Sequence, residues 1–206
     1  MARRCRVPRI GSVRHNVRMP EPSIPNTIHT DRLELIPATA ALIRHEIDDH
    51  AALGATLNAT IPAAWPPEEL REVLSFFAGR LAEQEQQIGI GPWVVYYWIS
   101  TAEPEAPRLL IGSGGFMGPP TPDGTVEIGY GTLLTYRRKG YAAEAARGLA
   151  EFARSHPDVS QVVADALPAN APSVGVLARS NFVETGDGAE EGTRRFTYTP
   201  YLPSVS

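Results

Sequence analysis

Three consecutive cations stand before a glycine and an alanine-rich run in the segment YRRKGYAAEAARGLAEFA, residues 136–153. Arg137, Arg138 and Lys139 precede Gly140, and Lys139 is the only lysine in the chain. A solvated turn would explain this composition. A phosphate site would also explain it, because the free N–H groups and the dipole of a helix N-terminus attract anions. Taken alone, the segment leaves both interpretations open.

A phosphate site would use each part of this segment differently. Gly140 would let a ligand approach the backbone closely, and Arg137 and Arg138 would add charge-assisted hydrogen bonds. The alanines at 142 and 143 carry no bulk that would obstruct a ligand over the first helical turn. The segment is not a P-loop, because the GxxxxGK[ST] pattern is absent.

Other candidate sites in the chain are weaker. The glycines of GSGGFMG at 112–118 lack the GxGxxG spacing of dinucleotide-binding loops, and two prolines follow where a helix should begin. These glycines are instead expected within a strand that another group approaches closely. His45 and His50 are not spaced as a helical metal pair, so no metal is expected. No GxSxG motif is present, and Cys5 has no nucleophile context.

The composition is that of a soluble globular chain with a basic start. The chain has 206 residues, of which 43% are hydrophobic, enough for one well-packed domain. No apolar run approaches the roughly 20 residues of a membrane helix, and the single cysteine excludes internal disulfides and fits a cytoplasmic protein. The first 19 residues hold six arginines and no acid, which leaves 13 cations and 23 acids, a net charge of −10, for the rest. A body of this charge does not favour nucleic-acid binding.

The basic start is expected to lie outside the domain. Residues 1–26 are interpreted as a disordered arm and residues 27–200 as the domain. The arm has no apolar segment of the secretory type. It could bind a polyanion, act as a transit peptide, or be a translated segment upstream of a true start at Met19. A disordered or artefactual arm is the favoured interpretation.

Around the candidate site, hydrophobic periodicity and turn residues predict a mixed α/β domain. The predicted strands are 32–36, 92–100, 108–118, 125–134, 160–167, 182–186 and 193–199, the last two as a closing hairpin. The predicted helices are 38–53, 66–81, an alanine-rich helix that follows Gly140 and ends at His156-Pro157, and 170–180. Asn170 is expected to be the N-cap of the last helix. No internal repeat or second domain boundary is visible.

The unit at 125–153 resembles the acyl-CoA-binding segment of GNAT-type N-acetyltransferases. The family pattern Arg/Gln-x-x-Gly-x-Gly/Ala reads RRKGYA here, at 137–142. TDRLELIPAT at the start of the domain and NAPSVGVLARSNF near its end are also similar to the family, in the correct order. The resemblance runs from about Thr30 to Tyr198 and looks most like the branch of ribosomal-protein alanine N-acetyltransferases. It implies a GNAT-like single α/β domain with a mixed, centrally splayed β-sheet flanked by helices.

The resemblance implies acetyl-CoA as cosubstrate and no metal. The pyrophosphate would lie on backbone amides over 138–142, and the pantetheine would run between the strands 125–133 and 160–167. A backbone N–H at the end of the first of these strands would polarise the acetyl carbonyl. The cofactor-binding residues implied are Leu133, Leu134, Arg137, Arg138, Lys139, Gly140, Tyr141, Ala142, Asn170 and Ser173.

The resemblance also implies direct attack of a primary amine on the thioester in a ternary complex. Glu127 is the candidate general base, acting through a water; a carboxylate that faces solvent or pairs with an arginine is the other interpretation. Glu144 is expected to support the helix N-terminus. Leu177 stands where many family members have a tyrosine acid, and Asn181 stands where glycine is common.

The acceptor is left open by the sequence. A protein N-terminal amine, on alanine or serine, is the branch-level expectation, and an aminoglycoside or a polyamine is the competitor. A catalytically silent module that binds or senses acyl-CoA is the alternative of a different class. The acceptor would enter between the helices at 38–87 and the closing hairpin. A membrane partner is not expected, and a homodimer is compatible with the sequence.

Overall fold

The computed structural model describes residues 24–67, 91–101 and 106–200. Its strands are β1 (Ile28–His29), β2 (Leu33–Pro37), β3 (Val95–Ser100), β4 (Leu109–Phe116), β5 (Thr125–Thr132), β6 (Gln161–Ala166), β7 (Phe182–Asp187) and β8 (Arg194–Tyr198). Its α-helices are α1 (Ala40–Asp48), α2 (His50–Leu57), α3 (Tyr141–Arg154) and α4 (Ala171–Arg179). Within these described ranges, no helix has both the length and the apolarity to cross a membrane.

All eight strands form one sheet in the order β1-β2-β3-β4-β5-β6-β8-β7. Every neighbouring pair is antiparallel except β5 and β6, which are parallel. These two strands pair over Thr125–Glu127 and Gln161–Val163 only, as far as the described residues go. Beyond that point β5 continues along β4 and β6 along β8. The predicted α/β fold with a mixed, centrally splayed sheet is therefore confirmed.

The helix α3 defines which face of the sheet each β5 side chain occupies. Phe152 of α3 packs against the rings of Tyr96 and Phe116, with centroids 6.4 and 6.3 Å apart. Side chains alternate across a strand, so the strand register places Tyr130 on this side and Glu127 on the opposite side. We call these the helix face and the opposite face.

The glycine-rich strand β4 allows an indole ring to lie directly on its backbone. A Cβ atom at Gly112 or Gly114 would come within 2.8 or 2.7 Å of the buried Trp98 ring. Real side chains do not approach so closely, so glycine is required at both positions. The expectation that the glycines of GSGGFMG lie in a strand with a close neighbour is confirmed at 112, 114 and 115, whereas Gly118 lies beyond the end of β4 and a Cβ atom there would meet nothing within 4 Å.

On the opposite face, the helix α1 is anchored by a buried acid. Glu46 is 3% exposed, and its carboxylate accepts hydrogen bonds from the Trp65 indole N–H at 2.8 Å and from the Tyr97 hydroxyl. Burial raises the pKa of Glu46 above its usual value, although these hydrogen bonds oppose the shift. The arrangement fixes α1 and the segment before residue 68 to the strand β3.

One predicted helix needs correction, and one short strand escaped prediction. The predicted helix at 38–53 is two helices, because Asp49 adopts an extended conformation at φ −153° and accepts hydrogen bonds from the N–H groups of Ala51 and Ala52, both at 3.0 Å. An aspartate that caps a new helix in this way ends the previous one. β1 was not predicted, since two residues carry no periodicity.

The backbone at Asn181 agrees with the sequence, and two predicted segments lie wholly or partly outside the described residues. Asn181 adopts the left-handed conformation, with φ 66°, as its position suggested. The predicted helix at 66–81 lies outside the described residues from 68 onward, and so does the arm at 1–23.

Candidate active site

The loop between β5 and α3 passes twice through left-handed backbone. One 3-10 turn, Leu134–Tyr136, follows β5, and then Arg138 and Gly140 have φ angles of 60° and 86°. A non-glycine residue in this region is strained, and such strain clusters at ligand-binding sites. Gly140 is the N-cap of α3 and supplies no side-chain cap. The N–H groups of the first turn are therefore available to an external anion.

The cations of this loop have different neighbours. The Arg137 Nε donates to the Thr132 carbonyl at 3.0 Å, which keeps the guanidinium beside the end of β5. The Lys139 Nζ lies 5.2 Å from the centre of the Tyr136 ring, a cation–π contact. Because an arginine side chain carries five N–H donors, Arg137 can hold this carbonyl and also bind a phosphate.

A further arginine, Arg32, contacts the other side of the loop. Its Nη1 donates to the Lys139 carbonyl at 3.1 Å, and its guanidinium carbon lies 4.6 Å from the centre of the Tyr141 ring. Arg32 escapes prediction from the sequence because it lies 107 residues before Lys139. No local signal in the sequence connects Arg32 to its partner Glu144, because the helix dipole alone accounts for an acid in the first turn of α3.

Glu144 joins this arginine to the helix. One carboxylate oxygen accepts from the Arg32 Nε and Nη2, both at 2.7 Å. The other accepts from the Thr30 hydroxyl at 2.6 Å and from the Arg32 backbone N–H at 2.7 Å. Burial alone would raise the pKa of Glu144, but these hydrogen bonds and the arginine charge lower it below its usual value. Glu144 thus fixes the start of α3 to the segment before β2, in agreement with the expected supporting role.

Asn170 and Ser173 lie where α4 approaches the splayed strand β5. The Asn170 Oδ1 accepts from the Ser173 N–H at 3.2 Å, so the predicted N-cap is confirmed. The Tyr130 hydroxyl lies 3.2 Å from both the carbonyl oxygen and the Oγ of Ser173. Burial raises the pKa of Tyr130 to about 12, so its hydroxyl stays protonated. Tyr130, which was not predicted as a site residue, connects β5 to the first turn of α4.

The backbone direction of β5 decides which N–H groups face the gap between β5 and β6. The Leu133 N–H donates to the Ile111 carbonyl at 3.0 Å and is already engaged. Alternate N–H groups of a strand point to opposite neighbours, so those of Tyr130 and Thr132 face the gap. Leu133 and Leu134 were the two residues predicted to polarise the acetyl carbonyl with a backbone N–H. Because the Leu133 N–H is bound to β4, Leu134 remains as the candidate donor; it begins the 3-10 turn, and its side chain is 75% exposed.

Glu127 lies on the opposite face, where β5 and β6 begin to separate. Its carboxylate is 3.7 Å from the Arg195 Nη2, too far for a hydrogen bond. Burial raises the pKa of Glu127, and the nearby charges of Asp165 and Glu190 raise it further, while Arg195 opposes them. The partial arginine contact and the raised pKa leave Glu127 able to act as a base.

Open space lies beside Glu127 on the same face. A Cβ atom at Gly131 would meet nothing within 4 Å, and one at Gly129 would meet only the Met117 sulfur at 3.4 Å. These glycines form an open floor along β5. Substrate atoms can therefore approach the β5 backbone between Glu127 and the end of the strand.

Two of the sequence predictions cannot act on the same reacting atoms. Glu127 and Leu133 are six residues apart, which is roughly 20 Å in an extended strand. A base that works through one water must lie within a few ångströms of the proton it removes. The structure therefore places the loop beyond the end of β5 and Glu127 near its start, while Ser173, next to its cap Asn170, lies beside Tyr130 between them.

Comparison with known proteins finds relatives of this domain. The profile of the acetyltransferase (GNAT) domain matches residues 33–183. The uncharacterized N-acetyltransferase YjdG of Bacillus subtilis (strain 168) is 29% identical over 167 residues, which cover 79% of this chain and 93% of YjdG.

Two solved structures share the fold at low sequence identity. RimL, a ribosomal L7/L12 alpha-N-protein acetyltransferase in complex with coenzyme A, is 17% identical with a TM-score of 0.54, over 84% of this chain and 96% of that chain. AAC(6')-Ib, in complex with paromomycin and acetyl-CoA, is 17% identical with a TM-score of 0.52, over 82% and 94%. Because the family profile spans most of the described domain, the chain belongs to the GNAT acetyltransferase family.

Proposed function

We propose that this protein transfers the acetyl group of acetyl-CoA to a primary amine, with residues 27–200 as the catalytic domain. The observation that carries the proposal is the gap between β5 and β6, which opens beside the uncapped N-terminus of α3. A gap lined by strand backbone suits an extended pantetheine, and a helix N-terminus suits its pyrophosphate. The CoA and acetyl-CoA complexes of RimL and AAC(6')-Ib support this choice of cosubstrate.

In this proposal, the loop and α4 hold the cosubstrate. The backbone amides of 138–142 bind the pyrophosphate, and the guanidinium donors of Arg137 not used by Thr132 assist them. Asn170 faces the pantetheine with its amide nitrogen, because its oxygen caps α4. Ser173 lies next to it, beside the Tyr130 hydroxyl.

The chemistry requires one proton to leave the amine. The amine nitrogen attacks the acyl carbon, a C–N bond forms, the C–S bond breaks, and the CoA thiolate leaves and is protonated from solvent. Glu127 takes the amine proton through a water, and its raised pKa makes it a stronger base than an exposed glutamate. The carbonyl is polarised by an N–H group that faces the gap. Tyr130 is better placed than Leu134 for this role, since it is only three residues from Glu127.

The proposed acceptor is a protein N-terminal amine on alanine or serine. The name of RimL supports this class, and the paromomycin complex of AAC(6')-Ib makes an aminoglycoside the competing acceptor. The open floor at Gly129 and Gly131 gives either acceptor access to β5.

The test combines a binding and a turnover measurement. Calorimetry with CoA should show binding, and thiol release from acetyl-CoA should require an amine. The panel contains peptides with N-terminal alanine or serine, the same peptides N-acetylated as controls, a polyamine and an aminoglycoside. CoA binding without thiol release for any amine would identify a silent acyl-CoA-binding module, and failure to bind CoA would reject the proposal.

The variant Glu127→Gln tests the proton-transfer step separately from CoA binding. This variant should lose about 10²–10⁴-fold in turnover, the usual contribution of a general base. Its affinity for CoA should stay at the wild-type value, because Glu127 lies at the other end of the gap from the loop.

A further inference from the structure

Glu127, Asp165 and Arg195 come from three different strands and meet on the opposite face of the sheet. Asp165 of β6 lies directly across from Arg195 of β8. Glu127 of β5 pairs with Val163, two residues before Asp165. Because alternate residues of a strand share a face, the three charged side chains point to the same side, at the point where β5 and β6 separate.

The Arg195 guanidinium lies closer to Asp165 than to Glu127. The Arg195 Nε and Nη2 each lie 2.9 Å from an oxygen of Asp165, a bidentate ion pair. Asp165 also accepts from the Ala189 N–H at 2.6 Å, and its side chain is only 9% exposed. The same Nη2 is 3.7 Å from Glu127. Arg195 thus hydrogen-bonds Asp165 with both nitrogens and forms only a longer ion pair with Glu127.

We propose that Asp165 is a positioning residue for the acetyl transfer: it holds Arg195 on its own carboxylate and so keeps Glu127 free to accept the amine proton. The inference rests on the proposed role of Glu127. A carboxylate in a bidentate pair with arginine is stabilised in its charged form and becomes a weaker base. Arg195 is within reach of such a pair with Glu127, and Asp165 prevents it.

The charges that face Glu127 agree with these separate roles of Asp165 and Glu127. They are Asp165 from β6, Arg195 from β8 and Glu190 from the loop between β7 and β8. The hydrogen bonds from Arg195 and Ala189 lower the pKa of Asp165, despite its burial, whereas burial raises the pKa of Glu127. Two neighbouring carboxylates with pKa values moved in opposite directions take different roles.

Two substitutions should shift the pH dependence of kcat/KM in opposite directions. Asp165→Asn releases Arg195 to Glu127, so the pKa of Glu127 falls and the acid limb moves to lower pH by about half a unit or more. Its plateau rate should fall as well, because Glu127 becomes a weaker base. Arg195→Gln leaves the Asp165 charge unpaired beside Glu127, so the pKa of Glu127 rises and the acid limb moves to higher pH.

The matched control is Arg194→Gln. Arg194 directly precedes Arg195 in β8, points to the other face of the sheet, and pairs with Glu184 and Asp187. This variant should leave the pH profile unchanged. CoA affinity by calorimetry checks that all variants are folded, and Arg195→Lys, which keeps the charge without the bidentate geometry, should give a smaller shift than Arg195→Gln.

The outcomes separate this inference from the proposed function. Acid limbs that do not move, or that move in the same direction in Asp165→Asn and Arg195→Gln, overturn the role of Asp165 while leaving Glu127 as the base. Full activity of Glu127→Gln overturns the base itself. If Asp165→Asn does not fold, Arg195→Gln and Arg195→Lys still decide the question, because unshifted profiles in both exclude coupling of Arg195 to Glu127.

Discussion

Replacing Arg32 by alanine should weaken acetyl-CoA binding without slowing the chemical step. The substitution removes the hydrogen bond to the Lys139 carbonyl and the contact with the Tyr141 ring, which together hold the loop before α3. It also removes the ion pair with Glu144. Glu127, at the far end of the gap, keeps its surroundings.

The contacts of Arg32 determine how much CoA affinity and folding stability the substitution should cost. The exposed hydrogen bond to Lys139 is worth about 0.5–1.5 kcal/mol, and an exposed cation–π contact about 0.5–1 kcal/mol. If the loss of loop order costs about 1–2 kcal/mol of binding energy, affinity for CoA falls by about 5–30-fold. The Arg32 side chain is 39% exposed, so solvent screening limits its ion pair with Glu144 to about 0.5–1 kcal/mol of folding stability. That loss lowers Tm by about 1–4 °C in a chain of this size.

Arg108→Ala is the matched control for this measurement. Arg108 is 33% exposed and, like Arg32, binds one carboxylate, that of Glu34, and one backbone carbonyl, that of Asn58 at 2.9 Å. It should lower Tm by a similar amount and leave CoA binding unchanged. Calorimetry with CoA, KM and kcat with a good amine, and scanning calorimetry give the comparison. Equal losses of CoA affinity in the two variants, or none in Arg32→Ala, would refute the role of Arg32 in the loop.

Three further predictions concern the loop before α3, the open floor of β5 and the buried acid Glu46. Arg137→Ala should raise the KM for acetyl-CoA well above the effect of Lys139→Ala, and the reverse order would mean that the loop is assigned wrongly. Gly131→Leu should fill the open floor and lower kcat/KM for the amine by about tenfold or more, with CoA affinity by calorimetry as the control. The raised pKa of Glu46 makes the wild type lose stability as pH rises from 4.5 through that raised value. Urea unfolding of Glu46→Gln should show a smaller dependence on pH over this range, and an equal slope would contradict the shift.

The elements that the sequence predicts well are those with strong local signals. The β-rich runs from β3 to β6 and the alanine-rich helix α3 have clear periodicity, and Asn170 caps α4 with its own side chain. The break at Asp49 was not predicted, because the apolar residues on both sides keep helical spacing. There a local side-chain cap competes with a longer helix and wins.

The site residues that escape prediction are those fixed by long-range contacts. Arg32 is brought to the loop by the packing of α3 beside β1 and β2, and its partner Glu144 is 112 residues away. Arg195 reaches Asp165 through the pairing of β8 with β6. A single sequence gives the residue types at these positions but not the distances between them.

Strand geometry also changes the assignment of the carbonyl-polarising group. The family pattern indicates a backbone N–H near the end of β5, and Leu133 and Leu134 are the nearest residues to that point. The Leu133 N–H is engaged by β4, and an extended strand puts the site of Leu134 roughly 20 Å from Glu127. The base removes the proton of the attacking amine and the donor binds the oxygen of the attacked carbonyl, so both must lie close to the forming C–N bond. If Glu127 is the base, the proposed donor is a gap-facing N–H nearer to it, such as that of Tyr130, and Leu134 is then proposed to contact the cosubstrate farther along the gap.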